Sequence, residues 1–206
     1  NIAEVQNVVD VSFGELTYKA EEFANTAITQ FGMSTLAAKK TASTYMAMAK
    51  GMGVASDEAS DMAITLAGLS GDVASFFNLS QELADIKLKS VFTGETETLK
   101  DLGVVMTQDN LKAYALSKGI TKSYEAMGQA EKVALRYQFV LDSLALANGD
   151  FARTQNSWAN QTRILQMQWQ EFMGILGQSI IRVLKPVVIW LNTMVARLIM
   201  LEEAFN

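Results

Sequence analysis

The stretch Val91–Met106, VFTGETETLKDLGVVM, decides how the chain is read. Gly94-Glu95-Thr96-Glu97 sets a glycine and three polar residues where a helix would need an apolar position, so it breaks the helix before it. Leu99 to Leu102 has room for about one helical turn before Gly103 stops it. The stretch is a structural joint and holds no catalytic arrangement. Before it lie small helices rich in alanine and methionine that end near Phe92. After it the chain builds toward one long amphipathic helix and an apolar ending. The expected fold is therefore all-α: a compact bundle of short helices, then a long amphipathic helix and an apolar C-terminal tail.

Composition supports helix nearly throughout. Half of the 206 residues are hydrophobic but only 9% are aromatic, and there are 11 methionines and a single proline. The apolar content is thus mostly Ala, Leu, Val, Ile and Met, with few β-branched runs. A net charge of −5 argues against a surface that coats nucleic acid, which needs clustered Lys and Arg. With no cysteine there is neither a disulfide framework nor a thiolate site. The chain opens at Asn1 and ends just after an apolar run, so it reads as a segment of a longer protein. No basic flank and short apolar core mark a signal peptide at its start.

Four regions are expected. Residues 1–12 (Ile2, Val5, Val8, Val9, Val11) alternate loosely and suggest a short strand or an extended lead-in. Residues 13–149 form the compact domain. In its first helix Leu16, Ala20, Phe23, Ala27 and Phe31 share one face, and Gly32 ends it. A punctuation then recurs: Gly32-Met33-Ser34, Gly53-Val54-Ala55-Ser56 and Gly103 to Thr107. In each, glycine closes a helix in the left-handed conformation and a hydroxyl residue caps the next. Leu79-Ser80-Gln81-Glu82 starts a helix the same way after Asn78, and Asp57-Glu58, Glu82 and Asp109 fall in first turns, where the helix dipole favours them. Small residues from Ala37 to Ala74 allow close helix approach. Tyr45, Met46, Met48 and Met52 fill the gaps as core, a simpler reading than a Met-lined binding groove. A helix over Gln129 to Ala147, with Val133, Tyr137, Val140, Leu141 and Leu144 on its apolar face, is closed by Asn148-Gly149.

Residues 150–185 are the long helix, about 50 Å if unbroken. Trp158, Thr162, Leu165, Trp169, Phe172, Leu176, Ile180 and Val183 alternate steps of four and three, close to a coiled-coil seam. The opposite side carries Gln155, Asn156, Asn160, Arg163, Gln166 and Gln170, a wet face of amides. The seam is the candidate contact surface, either with further copies of the chain, a trimer before a hexamer, or within the molecule. Pro186 should kink or end the helix. In residues 186–206, VVIWLNTMVA is uncharged but bracketed by Arg182, Lys185 and Arg197. That run is too short for a membrane span of ~20 residues. With snorkelling cations, Ile175 to Leu201 is long enough to lie in a bilayer.

Chemistry finds few candidates. Without His or Cys the common nucleophile–base pairs and zinc ligand sets are missing. Glu95, Glu97 and Asp101, and Asp57, Glu58 and Asp61, offer carboxylate pairs of the kind a glycosidase uses. They fall at caps and first turns, where the helix dipole already accounts for them. Gly51-Met52-Gly53 ends a helix and follows no strand, so it carries no nucleotide signal. No catalytic, cofactor or metal site is expected, and no enzymatic activity.

Three blocks resemble phage tail tape measure proteins, particularly those of tailed phages, prophages and phage-tail-like particles of Gram-positive bacteria. They are FGMSTLAAKKTASTYMAMAKGMGVASDEASDMAITLAGLSGDVASFFNLS (31–80), SVFTGETETLKDLGVVMTQDNLKAYALSKGI (90–120) and QAEKVALRYQFVLDSLALANGDFARTQNSWANQTRILQ (129–166). The resemblance covers most of residues 13–186 and does not reach the tail after Pro186. It implies an α-helical protein made in the host cytoplasm and carried in the virion, in the tail tube lumen or tail tip. Such a protein sets tail length during assembly, helps nucleate the tip and leaves at DNA injection. The implied partners are further copies about the tube axis, tail tube, distal tail or baseplate hub proteins, and the host membrane on ejection, with no sequence-specific nucleic acid. A membrane-active protein whose C-terminal apolar segment enters the host bilayer is the alternative.

Overall fold

A computed structural model describes residues 2–157, 160–175 and 189–190. All of the regular structure among the described residues is helical. The chain divides into two units, Asn1–Ile164 and Leu165–Asn206. The first holds α1 (Ile2–Phe13), α2 (Thr17–Phe31), α3 (Thr35–Gly51), α4 (Ser56–Phe76), α5 (Gln81–Leu88) and α6 (Ser90–Thr93). It continues with α7 (Gln108–Ser117), α8 (Gln129–Ser143) and α9 (Asp150–Thr154). Residues 160–164 of the first unit and residues 165–175 of the second are helical.

The first unit is built around α4. From Leu66 to Ala74 every residue of this helix is buried, and α2, α3, α5 and α9 all pack on it. A helix apolar all round belongs at the centre of a bundle, and its small residues set how closely neighbours approach. A Cβ on Gly71 would lie 2.4 Å from the carbonyl oxygen of Phe31, and one on Gly68 would lie 2.9 Å from the Phe31 ring. The two glycines thus form the saddle in which the end of α2 sits. The expected face of α2 is the buried one at Ala20, Phe23 and Ala27. Tyr45, Met46 and Ala49 of α3 are core.

The punctuation reading holds in three places. Gly32 adopts φ 62° after α2, and Ser34 Oγ accepts from the Ala37 N–H at 3.1 Å. Ser80 Oγ accepts from Leu83 N–H and Thr107 Oγ1 from Asn110 N–H. At Gly53–Ser56 only half of it holds: Gly53 takes φ 84° after α3, but no hydroxyl caps the next helix. The cap position is Ala55, in extended conformation and with no side-chain bond, and Ser56 is already helical.

Three expectations about elements are corrected. Residues 2–13 are helical rather than a strand or an extended lead-in. Val9 and Phe13 are buried at a helical spacing while Val8 and Val11 stay outside, so the loose alternation was a helix with one narrow buried edge. Secondly, α8 stops at Ser143, not Ala147. Residues 144–149 turn instead, and the Arg153 guanidinium donates to the carbonyls of Leu146 and Asn148, holding the turn's end. Thirdly, the helix expected to run unbroken from Asp150 ends at Thr154, and residues 155–157 turn. Ser157 Oγ accepts from the Asn160 N–H, while the Asn160 side-chain amide donates to the Thr154 carbonyl and the Gln161 amide to the Gln155 carbonyl. Some of the amides expected on a wet face therefore cap the helix ends at a break.

Candidate interaction surface

The described part of the predicted seam is helical, and within the second unit Leu165, Trp169 and Phe172 follow in steps of four and three on one side. Thr162 is half-buried. Leu165, Trp169 and Phe172 are 66%, 62% and 50% exposed. The Trp169 and Phe172 rings contact each other at 5.9 Å between centroids, tilted by 40°, so the two side chains form one continuous apolar step. Met173 and Ile175 are exposed as well, which widens the stripe beyond the seam. Gln166 and Gln170 are exposed on the other side. Trp158, Leu176, Ile180 and Val183 lie outside the described residues, as do Pro186 and most of the apolar tail. No helix among the described residues is long and apolar enough to cross a membrane.

What such a stripe can do is bind. An indole and a phenyl ring each bury on the order of 150–250 Å² when covered, at roughly 25 cal/mol per Å². The exposed part of each ring is area that only a partner can cover.

Three of the six carboxylates weighed as a catalytic alternative are held in ion pairs. Lys100 holds Glu97 at 2.7 Å, Lys87 holds Asp101 at 2.8 Å and Lys19 holds Asp61 at 2.7 Å. The charge-assisted bonds from their lysines keep the Glu97 and Asp101 carboxyls below the ordinary range, the opposite of what a general acid requires. Asp57 and Glu58 occupy the first turn of α4. A cleft of about 430 Å³ between α7 and α8 is lined by Tyr114, Lys118, Ile120, Lys122, Met127 and Leu135, among others. Its cations are neutralised, Lys118 by Asp142 and Lys122 by Glu131.

Two polar residues that hold the first unit together escaped the sequence reading. Asp72 is 1% exposed in the middle of α4. Its carboxylate accepts the N–H groups of Gly149 at 2.7 Å and Phe151 at 3.1 Å, and Ser75 donates to Asp150 beside it. Burial raises the Asp72 carboxyl above its ordinary value, against the two backbone donors that lower it. The signal was an acid inside the apolar, small-residue run GLSGDVAS, where a charge has no business without partners. Arg136 of α8 is 5% exposed and donates through Nε to Val91 O, through Nη2 to Phe92 O and through Nη1 to the Tyr124 hydroxyl. It therefore caps the end of α6 at the joint, where Val91, Phe92, Leu99, Leu102, Val104 and Met106 are all buried.

Comparison with protein-family models, curated protein sequences and solved structures finds no match to this chain.

Proposed function

We propose that the chain is a structural and assembly segment of a phage tail tape measure protein. In this reading a compact helical domain passes into a long amphipathic helix and an apolar tail. The segment acts in the virion, at the tail tip or in the tube lumen, sets tail length, organises the tip and leaves at DNA injection. The blocks at 31–80, 90–120 and 129–166 suggest the class of protein. The observation that carries the role is the exposed stripe of Leu165, Trp169 and Phe172, a surface suited to a partner. Its partners in this reading are copies of the same chain about the tail axis and the tube, distal tail or hub proteins.

Light scattering after size-exclusion chromatography tests this. A trimer or hexamer that falls to monomer in Trp169→Ser/Phe172→Ser supports an axial assembly through the stripe. If those residues are solvent-exposed in the assembled particle, as read by hydroxyl-radical footprinting, the reading is refuted. The uncharged run VVIWLNTMVA motivates the second reading, insertion of the tail into a host bilayer. Flotation with liposomes separates the two, since a chain that stays in the aqueous fraction with or without residues 187–206 counts against insertion.

A further inference from the structure

The dipeptide Asn148-Gly149 occurs once in the chain, at the end of the turn between α8 and α9. Asparagine followed by glycine is the pairing in which a chain most readily modifies itself. Glycine has no side chain to keep its backbone nitrogen from the neighbouring carboxamide, and its backbone is the freest of any residue. The Gly149 nitrogen gives up its proton and bonds to Cγ of Asn148. The Cγ–Nδ2 bond breaks, and the side-chain nitrogen leaves as ammonia with that proton. Water then opens the five-membered imide. Opening at Cγ leaves aspartate, and opening at the main-chain carbonyl leaves isoaspartate, whose backbone is one carbon longer. Solvent water is the co-reactant.

Asn148 is exposed, so water can enter and ammonia can leave. The nitrogen that must react is held. The Gly149 N–H donates to Oδ2 of buried Asp72 at 2.7 Å, and the Asn148 carbonyl oxygen of the same peptide unit accepts from Arg153 Nη1 at 2.6 Å. One peptide plane is thus pinned at both ends, from α4 and from α9, and cannot turn to follow the carboxamide. A proton shared with a carboxylate is also hard to lose, because the nitrogen anion would face a second negative charge in a site shielded from water. Two residues on, the Phe151 N–H donates to Asp72 Oδ1 at 3.1 Å, and its ring is fully buried against Gly32.

We propose that Asn148 is a self-modification site guarded by Asp72. Its amide converts to aspartate and isoaspartate when the clasp of Asp72 on residues 149–151 opens, and the product does not close again. In isoaspartate the added carbon moves the Gly149 N–H out of register with Asp72 while Phe151 stays tied to its slot. In aspartate a new carboxylate stands next to the residue whose N–H Asp72 accepts, and Arg153 is already shared with Asp150. The clasp is a one-way latch, and the converted fraction records how long it has stood open.

The test incubates the full chain at mildly alkaline pH, where the nitrogen loses its proton more readily. Peptide mass spectrometry then reads the exchange of amide for acid at Asn148. Conversion in the folded chain is expected to be about tenfold or more slower than in the same chain unfolded in urea, since only the open fraction reacts. Asp72→Asn offers one oxygen in place of two, and conversion is expected to rise about tenfold in a chain that circular dichroism shows to be folded. A second measurement needs no variant, and it alone decides if Asp72→Asn does not fold. In urea below the unfolding midpoint, conversion at Asn148 and hydrogen exchange of the Gly149 amide rise in parallel, because one opening exposes both. Converted chains, separated by charge, lose exchange protection at Gly149 and Phe151. The proposal is overturned by a folded chain that converts as fast as the unfolded one, or by a folded Asp72→Asn that converts at the wild-type rate. Rates that diverge in urea, or converted chains that keep both amides protected, overturn it as well.

Discussion

At the scale of the residue, the positions that matter most are those where one side chain or its absence serves two distant segments. Gly71 is one: alanine there would push a methyl group into the Phe31 carbonyl, which only a backbone shift relieves. Gly71→Ala is expected to cost about 1–3 kcal/mol, read as a lower denaturant midpoint. Gly32 combines φ 62° with a Phe151 ring that would lie 2.3 Å from any Cβ, so strain and overlap add. Asp72 is the polar counterpart. Asp72→Ala leaves two inward N–H groups without an acceptor, a loss of about 1–3 kcal/mol. Native-state hydrogen exchange should show Gly149 and Phe151 losing protection before the rest of the unit does. Arg136→Met keeps the packing but strands the Val91 and Phe92 carbonyls, with a loss of similar size by the same reasoning.

At the scale of the element, periodicity revealed more than punctuation did. The face of α2 and the caps at Ser34, Ser80 and Thr107 were legible because apolar spacing and capping hydroxyls act within one turn. The joint was legible as a break, but the side chain that stabilises it, Arg136, comes from more than forty residues later and left no local trace. The shortened α8 and the stop at Thr154 were illegible for the same reason, since Arg153, Asn160 and Gln161 win carbonyls that a longer helix would have used. As for the candidate surface, the sequence placed Leu165, Trp169 and Phe172 on one side, but it had no means of telling whether the rest of the chain covers them. Ser157 makes the break testable. Ser157→Ala removes the oxygen that receives the Asn160 N–H, worth about 1 kcal/mol at a cap, and should raise amide exchange around residues 160 and 161.

At the scale of the whole molecule, the ion pairs decide how the fold answers acid. Lys39 and Gln6 lower the Glu21 carboxyl, Lys87 lowers Asp101, Lys122 and the Gly128 N–H lower Glu131, and Lys118 and Tyr114 lower Asp142. A carboxyl whose folded value lies below its unfolded one adds stability that is present above the ordinary values of 4.5 and 3.8. That stability is lost as pH falls through the depressed folded values. Asp72 runs the other way: its folded value is raised, so its contribution is present below 3.8 and is lost as pH rises through that raised value. Glu97 and Glu125 are lowered by their lysines as well, so with six groups against one the denaturant midpoint should fall between about pH 6 and about pH 3, and it should fall more steeply in Asp72→Asn, where the opposing group is gone.

The clasp between Asp72 and the 149–151 segment also sets an order in time. Phe151 is fully buried against Gly32, so its site is shaped by residues that leave the ribosome well over a hundred positions earlier. Until residue 151 arrives, that slot and the Asp72 carboxylate wait open beside a bundle otherwise able to collapse. The unit is therefore sealed last at its C-terminal edge, and a chain cut short before Gly149 would carry an open seam along its central helix.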